Sequence, residues 1–442
     1  MTGLIWAGVI WAGFFAVASL FRHRNRVIGD WFGREQLALV IALLGTFSIA
    51  SSSEAEEVLR QPLVFERVLR GGLAAVALMI VAPVLIERIR SYTPGRRAMT
   101  GLLAYLTVAL VSTVFSAAPL VTAAKVGELT AGLAPIVAIA LGPRPGERLR
   151  NTLLLVIGLI GSLLIVAVVG FAALPSVFKV LQTRPGFLMD ETLVAPFFHS
   201  NTLSALGATV AVFAIARLLK VREHRRWWIV VGAVGVLSLV LASGRQGVVM
   251  ALVGISVVLW STRRRLFLGL LAPSAIVAGY AYRDTLFDIF ARARPQSVTN
   301  FSGRLYWWEA AVEAWTDHPW TGWGYGAGGR FVALASIGRG STSNVHSGYV
   351  EALVGVGIFG LAGLLYALFE VVVWSVRNLR TETALATLIV PLALRTGVSQ
   401  GFGGWLSVEF VLFALLVAIV DQSRIERNQP AARTRAATSP SA

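Results

Sequence analysis

The residues best suited to chemistry fall between Ser302 and Glu351, in SGRLYWWEAAVEAWTDHPWTGWGYGAGGRFVALASIGRGSTSNVHSGYVE, the longest polar interruption in an apolar chain. His346 stands near its far end, in SNVHSGYVE, directly before an apolar run that starts near Gly348. Histidine titrates near neutrality and suits general base work. Glu351, five residues on, is placed to orient the imidazole or raise its basicity. Taken alone, a histidine here reads first as a helix-start residue that merely hydrogen-bonds a loop. Arg304 opens the stretch. Ser302 is a candidate N-cap, and Arg304, Trp308, Ala311 and Trp315 follow at helical spacing, which predicts a short amphipathic helix on the outer surface. A guanidinium stays charged and donates in a fork that matches diphosphate oxygens. The blander reading is a snorkelling arginine on an interfacial helix. Arg245, in the tight turn SGRQG, is a second basic residue of this kind, and two such arginines could clamp one diphosphate.

Other candidates carry less. Lys125 and Glu128 lie one turn apart on one face of an apolar run. Charges inside a membrane helix are functional hypotheses by default, and a mutual ion pair is the plain alternative. His199 and His318 fall on the same side as His346, whereas His23 and His224 sit in basic clusters. Gly322, Gly324, Gly326, Gly328 and Gly329 predict a flexible turn after His318–Pro319. They form no phosphate-cradling Walker loop. Asp284, Asp288, Glu309, Glu313 and Asp317 lack metal-ligand spacing, so no metal and no cofactor is expected. The chain has no cysteine, which excludes disulfides and thiol chemistry.

The elements that must position these residues are membrane helices. Of 442 residues, 56% are hydrophobic and 14% charged, against about 25% charged in soluble domains. Apolar runs long enough to span a bilayer occur near 3–21, 34–50, 70–87, 98–116, 120–141, 151–174, 200–219, 227–243, 246–261, 266–282, 348–374, 384–400 and 403–421. The expected fold is an all-α polytopic membrane protein of about 12–13 transmembrane helices, one domain over 1–421, with a large external loop, 283–347, containing short helices. From 422 to 442 the polar composition predicts a disordered cytoplasmic tail. The net charge of +16 is carried mainly by clusters in alternate connections: 22–26, 88–97, 143–150, 220–226, 263–265 and 377–380. The positive-inside rule puts those in the cytoplasm and leaves 51–57, 175–199, 243–246, 283–347 and 401–404 outside. The clusters are membrane anchors, and nucleic acid is not an expected partner. With thirteen spans the N-terminus lies outside; with twelve it lies inside.

The run SGRLYWWEAAVEAWTDHPWTGWGYGAG followed by NVHSGYVEALVGVGIFG resembles the signature of the O-antigen ligase and O-antigen polymerase superfamily. SGRQG at 243–247 is similar to the family's Ser-Arg turn, and FSAAPLVTAAKVGEL at 115–129 to its Ser-x-x-Pro helix start. FFHSN at 197–201 falls where relatives carry a His-Pro-Asn-like element, with Ser200 in place of the proline. The resemblance implies a GT-C-like bacterial inner-membrane glycosyltransferase using a glycan linked to undecaprenyl diphosphate. His346 would deprotonate the acceptor hydroxyl, and Arg245 and Arg304 would hold the departing diphosphate. Lys125, His199, Trp308, Tyr325, Tyr349 and Glu351 would line the substrates, the acceptor being a lipid A-core-like glycolipid or a growing glycan. The large tryptophan-rich loop fits a ligase over a polymerase. A lipid-glycan transporter is the alternative from another class, and would show repeated halves or interrupted helices around a midplane charge.

Overall fold

The computed structural model describes residues 33–46, 65–90, 96–181, 191–195, 198–221, 224–262, 303–339 and 344–437. The runs expected at 3–21 and 266–282, the clusters at 22–26 and 263–265, and the cap expected of Ser302 lie outside these residues. Within them the chain is all-α and polytopic. The helices are α1 (Arg34–Thr46), α2 (Phe65–Ile89), α3 (Arg97–Val111), α4 (Pro119–Ala140), α5 (Pro145–Ala173), α6 (Ser200–Lys220), α7 (Arg225–Ala242), α8 (Arg245–Ser261), α9 (Arg304–Asp317), α10 (Gly348–Asn378), α11 (Thr383–Val398) and α12 (Val408–Ala437). Six of the described helices are long and apolar enough to cross a membrane, and α3, α8 and α11 are shorter apolar helices. Each follows its apolar run closely, because only a helix satisfies its own backbone in lipid. The connection 175–199 adds a small antiparallel hairpin, β1 (Lys179–Leu181) with β2 (Glu191–Leu193).

Helix α12 is the axis of the bundle. Every residue from Val408 to Gln422 is buried, as expected of a helix that is apolar on all faces. Around it, neighbours close on small residues. Gly101 of α3 and Gly363 of α10 face each other so tightly that a Cβ on Gly101 would lie 2.7 Å from the Gly363 carbonyl oxygen. Gly207 of α6 and Gly235 of α7 repeat the arrangement at 2.6 Å. Small residues allow such approach where no hydrophobic effect drives helices together.

The two ends of the bundle differ. At one end, basic residues bind across helices: Arg88 and Arg148 hold Glu35 at 2.6 and 2.9 Å, Arg150 holds Glu382 at 2.7 Å, and Arg424 holds Glu370 at 2.6 Å. Asp421 accepts from the backbone N–H of Ala98 and Met99 at 3.1 and 2.8 Å. It thereby caps two of the donors that the first turn of α3 leaves without partners. Helix α12 does not stop at 422 but runs to Ala437. Gln422 bonds Glu426 one turn on at 3.0 Å, and Arg427 is tied to the Asn378 side chain at 2.5 Å.

The other end carries the polar loops, and here α10 is broken. Gly357 has φ 65° and ψ −170° in mid-helix. The glycine-rich segment 319–329 packs into the break. Trp323 N–H donates to the Val354 carbonyl and Gly324 N–H to Gly355, each at 2.9 Å, while Ile358 N–H donates to Pro319 at 2.9 Å. From the opposite side the Trp323 carbonyl accepts from Ala117 N–H at 2.9 Å, and Tyr325 N–H reaches the Ser112 hydroxyl at 3.0 Å. The segment expected to be a flexible turn is therefore bonded on two sides. Irregular backbone is tolerated at this depth because it is enclosed by protein. A Cβ on Gly357 would lie 2.2 Å from the Trp320 carbonyl oxygen. Gly357→Ala is expected to lower the melting temperature in detergent, since φ 65° with ψ −170° is a conformation that essentially only glycine adopts, costing other residues about 1–3 kcal/mol. Gly71→Ala, where a Cβ meets nothing within 4 Å, is expected to be neutral or stabilising. Equal melting of the two variants would show that the break is not rigid.

Candidate active site

Five helix ends converge beside His346. Residues 344–348 join the glycine-rich region to α10, and Ser347 caps that helix by accepting from Val350 N–H at 3.4 Å. The residue before it is held in the left-handed region, His346 having φ 55°. Two bonds fix this bend. Asn344 Oδ1 accepts from His346 N–H at 2.8 Å, and the Val345 carbonyl accepts from Trp308 Nε1 at 2.9 Å. The imidazole stacks on Trp307, with centroids 5.1 Å apart and planes 30° apart. A strained backbone held by surrounding bonds is common where a side chain must be aimed.

Helix α9 supplies Trp307, Trp308 and Arg304 from one turn. It packs on α10, with Ala311 in one apolar cluster with Val350 and Val354. It begins at Arg304 after Gly303, which has φ 88° and provides no side-chain cap. Arg304 Nη1 donates to the Val398 carbonyl, the last residue of α11, at 2.6 Å. Burial, then the charges of Arg245 and Arg395, pull the pKa of Arg304 below its ordinary value. The group remains a cation, but one crowded by like charge, which an arriving anion would relieve.

Arg245 opens α8 after a turn in which Ser243 has φ 50°. That turn is pressed onto α6. Ser204 donates to the Gly244 carbonyl at 3.0 Å, and a Cβ at Gly247 would lie 2.1 Å from the Ser204 hydroxyl oxygen. Gln246 Nε2 donates to the Asn201 carbonyl at 3.0 Å. His199 flanks α6 directly before Ser200 and is exposed.

Sequence reasoning missed Arg395, in the last turn of α11. It is only 5% exposed. Its Nε lies 2.5 Å from Glu409 Oε1, a charge contact outside hydrogen-bond alignment. Its Nη1 donates to the Asn201 carbonyl at 3.2 Å and its Nη2 to Thr202 Oγ1 at 3.1 Å. The signal was present: a lone arginine in an apolar helix is a functional hypothesis by default. Trp307 was also missed, its neighbour Trp308 having the better spacing.

His346 feels part of this group. Burial first, then the charges of Arg304, His199 and Arg395, push its pKa down to about 4. At neutral pH the imidazole is uncharged and able to take a proton. The structure thus brings His346, Arg304, Arg245 and His199 together and adds Arg395. Tyr349 lies on the flank, its hydroxyl donating to the Ala393 carbonyl at 3.3 Å.

The remaining candidates sit elsewhere. Glu351 is buried and accepts from Val345 N–H through Oε2 at 3.2 Å. It supports the bend at His346 through the backbone; among the described residues its Oε1 has no hydrogen-bond partner. Lys125 binds both oxygens of Glu128 at 3.0 and 2.9 Å and lies 5.4 Å from the Trp405 ring centroid, the ion pair that sequence alone allowed. Tyr325 donates to the Gly404 carbonyl and meets Tyr105 edge-on at 6.0 Å. Lys125, Glu128, Tyr325 and Tyr105 form a second polar cluster, which braces the glycine-rich segment. Among the described residues no group of three or more His, Asp or Glu is placed to hold a metal ion.

Residues 233–365 match the family model described as O-Antigen ligase. The match spans α8, α9, the glycine-rich segment, His346 and the break in α10. No curated protein matches the chain.

Proposed function

We propose, from the match of residues 233–365 to the O-antigen ligase family model, that this chain is a membrane glycosyltransferase. It moves a glycan from undecaprenyl diphosphate to an acceptor hydroxyl, as an O-antigen ligase does. The observation that carries the reading is the grouping of Arg245, Arg304 and Arg395 beside an uncharged His346 at the loop end of the bundle. With the basic ends of the helices in the cytoplasm, the site faces the outer side of a bacterial inner membrane.

In the reaction the acceptor oxygen attacks the anomeric carbon and its proton passes to His346. The bond from that carbon to the diphosphate breaks, and the diphosphate keeps the electron pair. Arg304 and Arg245 stabilise the charge that develops on it, without a metal. The break in α10 is a feature that a transporter would share. Its carbonyls at Val354 and Gly355 are taken by Trp323 and Gly324, which favours a packing role.

The test is purified protein in liposomes with a labelled lipid-linked glycan and a glycolipid acceptor. Transfer to the acceptor, with release of undecaprenyl diphosphate, is expected to survive chelation. Longer lipid-linked chains in place of the acceptor product would mark a polymerase. Absence of both products would overturn the glycosyltransferase reading, and strict dependence on a divalent ion would overturn the arginine-only one.

The pH dependence follows from His346. Its pKa of about 4 lies below the ordinary 6.5 or so, so the base form persists as pH falls through 6.5 and is lost near 4. The acid limb of kcat/KM, which reports the free enzyme, is expected well below 6. A bound diphosphate offsets the cations and favours the imidazolium, so the acid limb of kcat is expected at higher pH. Coincident limbs near 6.5 would contradict both the burial and the coupling to Arg304. Folding stability has the same sign: full above about 6.5, it falls as the pH drops towards 4.

A further inference from the structure

We propose that Arg395 is a positioning residue for this transfer, holding the 199–202 segment and the Arg245 turn as one rim facing His346. The inference rests on the glycosyltransferase reading and adds to it a residue that never touches substrate. Arg395 has three anchors on two elements: Glu409 at the start of α12, and the Asn201 carbonyl and Thr202 hydroxyl at the start of α6. The Asn201 carbonyl also receives Gln246 Nε2, from the residue beside Arg245. A second tie joins the same pieces, Ser204 Oγ to the Gly244 carbonyl. One guanidinium therefore connects α11, α12, α6 and the start of α8. Val398, three residues further along α11, holds Arg304 at 2.6 Å. Both proposed diphosphate ligands are thus registered against the last turn of α11, which Arg395 fixes.

The form of the contact argues for position over stability. A buried ion pair is weak support for a fold, and apolar residues of similar volume commonly replace one without loss. What an apolar pair cannot reproduce is directed donation to Asn201 and Thr202. A lysine cannot reproduce it either, since one ammonium does not present a planar fork to three partners.

The experiment compares wild type, Arg395→Lys and the apolar pair Arg395→Met with Glu409→Leu, each in liposomes with labelled lipid-linked glycan. The apolar pair is expected to melt near wild type, to lose kcat by ~10²-fold, as misplacement by about 1 Å does, and to keep the donor KM within severalfold. Arg395→Lys is expected to lose kcat similarly. Wild-type kcat in the apolar pair would overturn the proposal. Should that pair fail to fold, Arg395→Lys decides: a kcat loss at wild-type melting temperature supports positioning, and an unchanged kcat overturns it. A second readout needs no activity. Diethyl pyrocarbonate modifies neutral imidazole, and site-resolved mass spectrometry across pH titrates His346 directly. In the apolar pair the midpoint is expected to move up, since one nearby cation is gone. If wild type transfers no glycan, the reaction reading fails and Arg395→Lys, which keeps the cation and loses the fork, judges the rim by this midpoint: an unmoved midpoint overturns it, a displaced one supports it.

Discussion

Replacing His346 by alanine is expected to lower the rate of glycan transfer by ~10²–10⁴-fold, the usual contribution of a positioned general base. The loss should fall on kcat, because the substitution leaves in place the arginines proposed to hold the donor's diphosphate. One complication has to be separated. His346 sits at φ 55°, and alanine is less at ease there than histidine or asparagine. His346→Asn tolerates the same backbone, keeps a polar side chain and cannot act as the base. It is expected to be as inactive as the alanine variant and to melt closer to wild type. Single-turnover transfer in liposomes, with melting followed in parallel, makes the comparison. Undiminished turnover in the asparagine variant would remove His346 from the mechanism.

The second large effect is expected at Arg304. Arg304→Lys retains the charge and loses the fork. One nitrogen of that fork is already committed to the Val398 carbonyl; the rest of the guanidinium can face a phosphate oxygen. An ammonium that keeps the Val398 contact is drawn away from the donor, and one that reaches the donor abandons the end of α11. Transfer is expected to fall by ~10²–10³-fold, as when one preorganised donor to a developing negative charge is removed. Activity near wild type would show that charge without geometry suffices. Arg304→Gln adds a check of sign. With the cation gone, the His346 pKa should rise, moving the acid limb of kcat/KM to higher pH.

The helices were legible because hydrophobic length is sufficient information for a membrane span. Pro119 and Pro145 even mark the first residues of α4 and α5, as proline tends to do. His346, Arg304, Arg245 and His199 were legible as residue types at the edges of apolar runs. Arg395 and Glu409 obey the same rule for charges in apolar segments, but their pairing crosses between helices and has no spacing to betray it. The glycine-rich segment was misread for a deeper reason. Its order comes from carbonyls released where α10 breaks, and GVGIFG at 355–360 does not announce whether a glycine lies inside a helix or interrupts one. Glu351 was placed by distance along the chain, where the left-handed turn at His346 sends the imidazole to Trp307 instead.

The break at Gly357 has a consequence for how the protein is made. The backbone partners of 319–326 lie at Ser112 and Ala117, already synthesised, and at Val354, Gly355 and Ile358, still to come. Until the ribosome has delivered both halves of α10, the glycine-rich segment has only half its ladder and must wait in water. Catalytic competence is therefore acquired late in biosynthesis, after the insertion of α10. On the proposed glycosyltransferase reading, a half-made chain has no assembled centre and cannot act on its substrate before the bundle is closed.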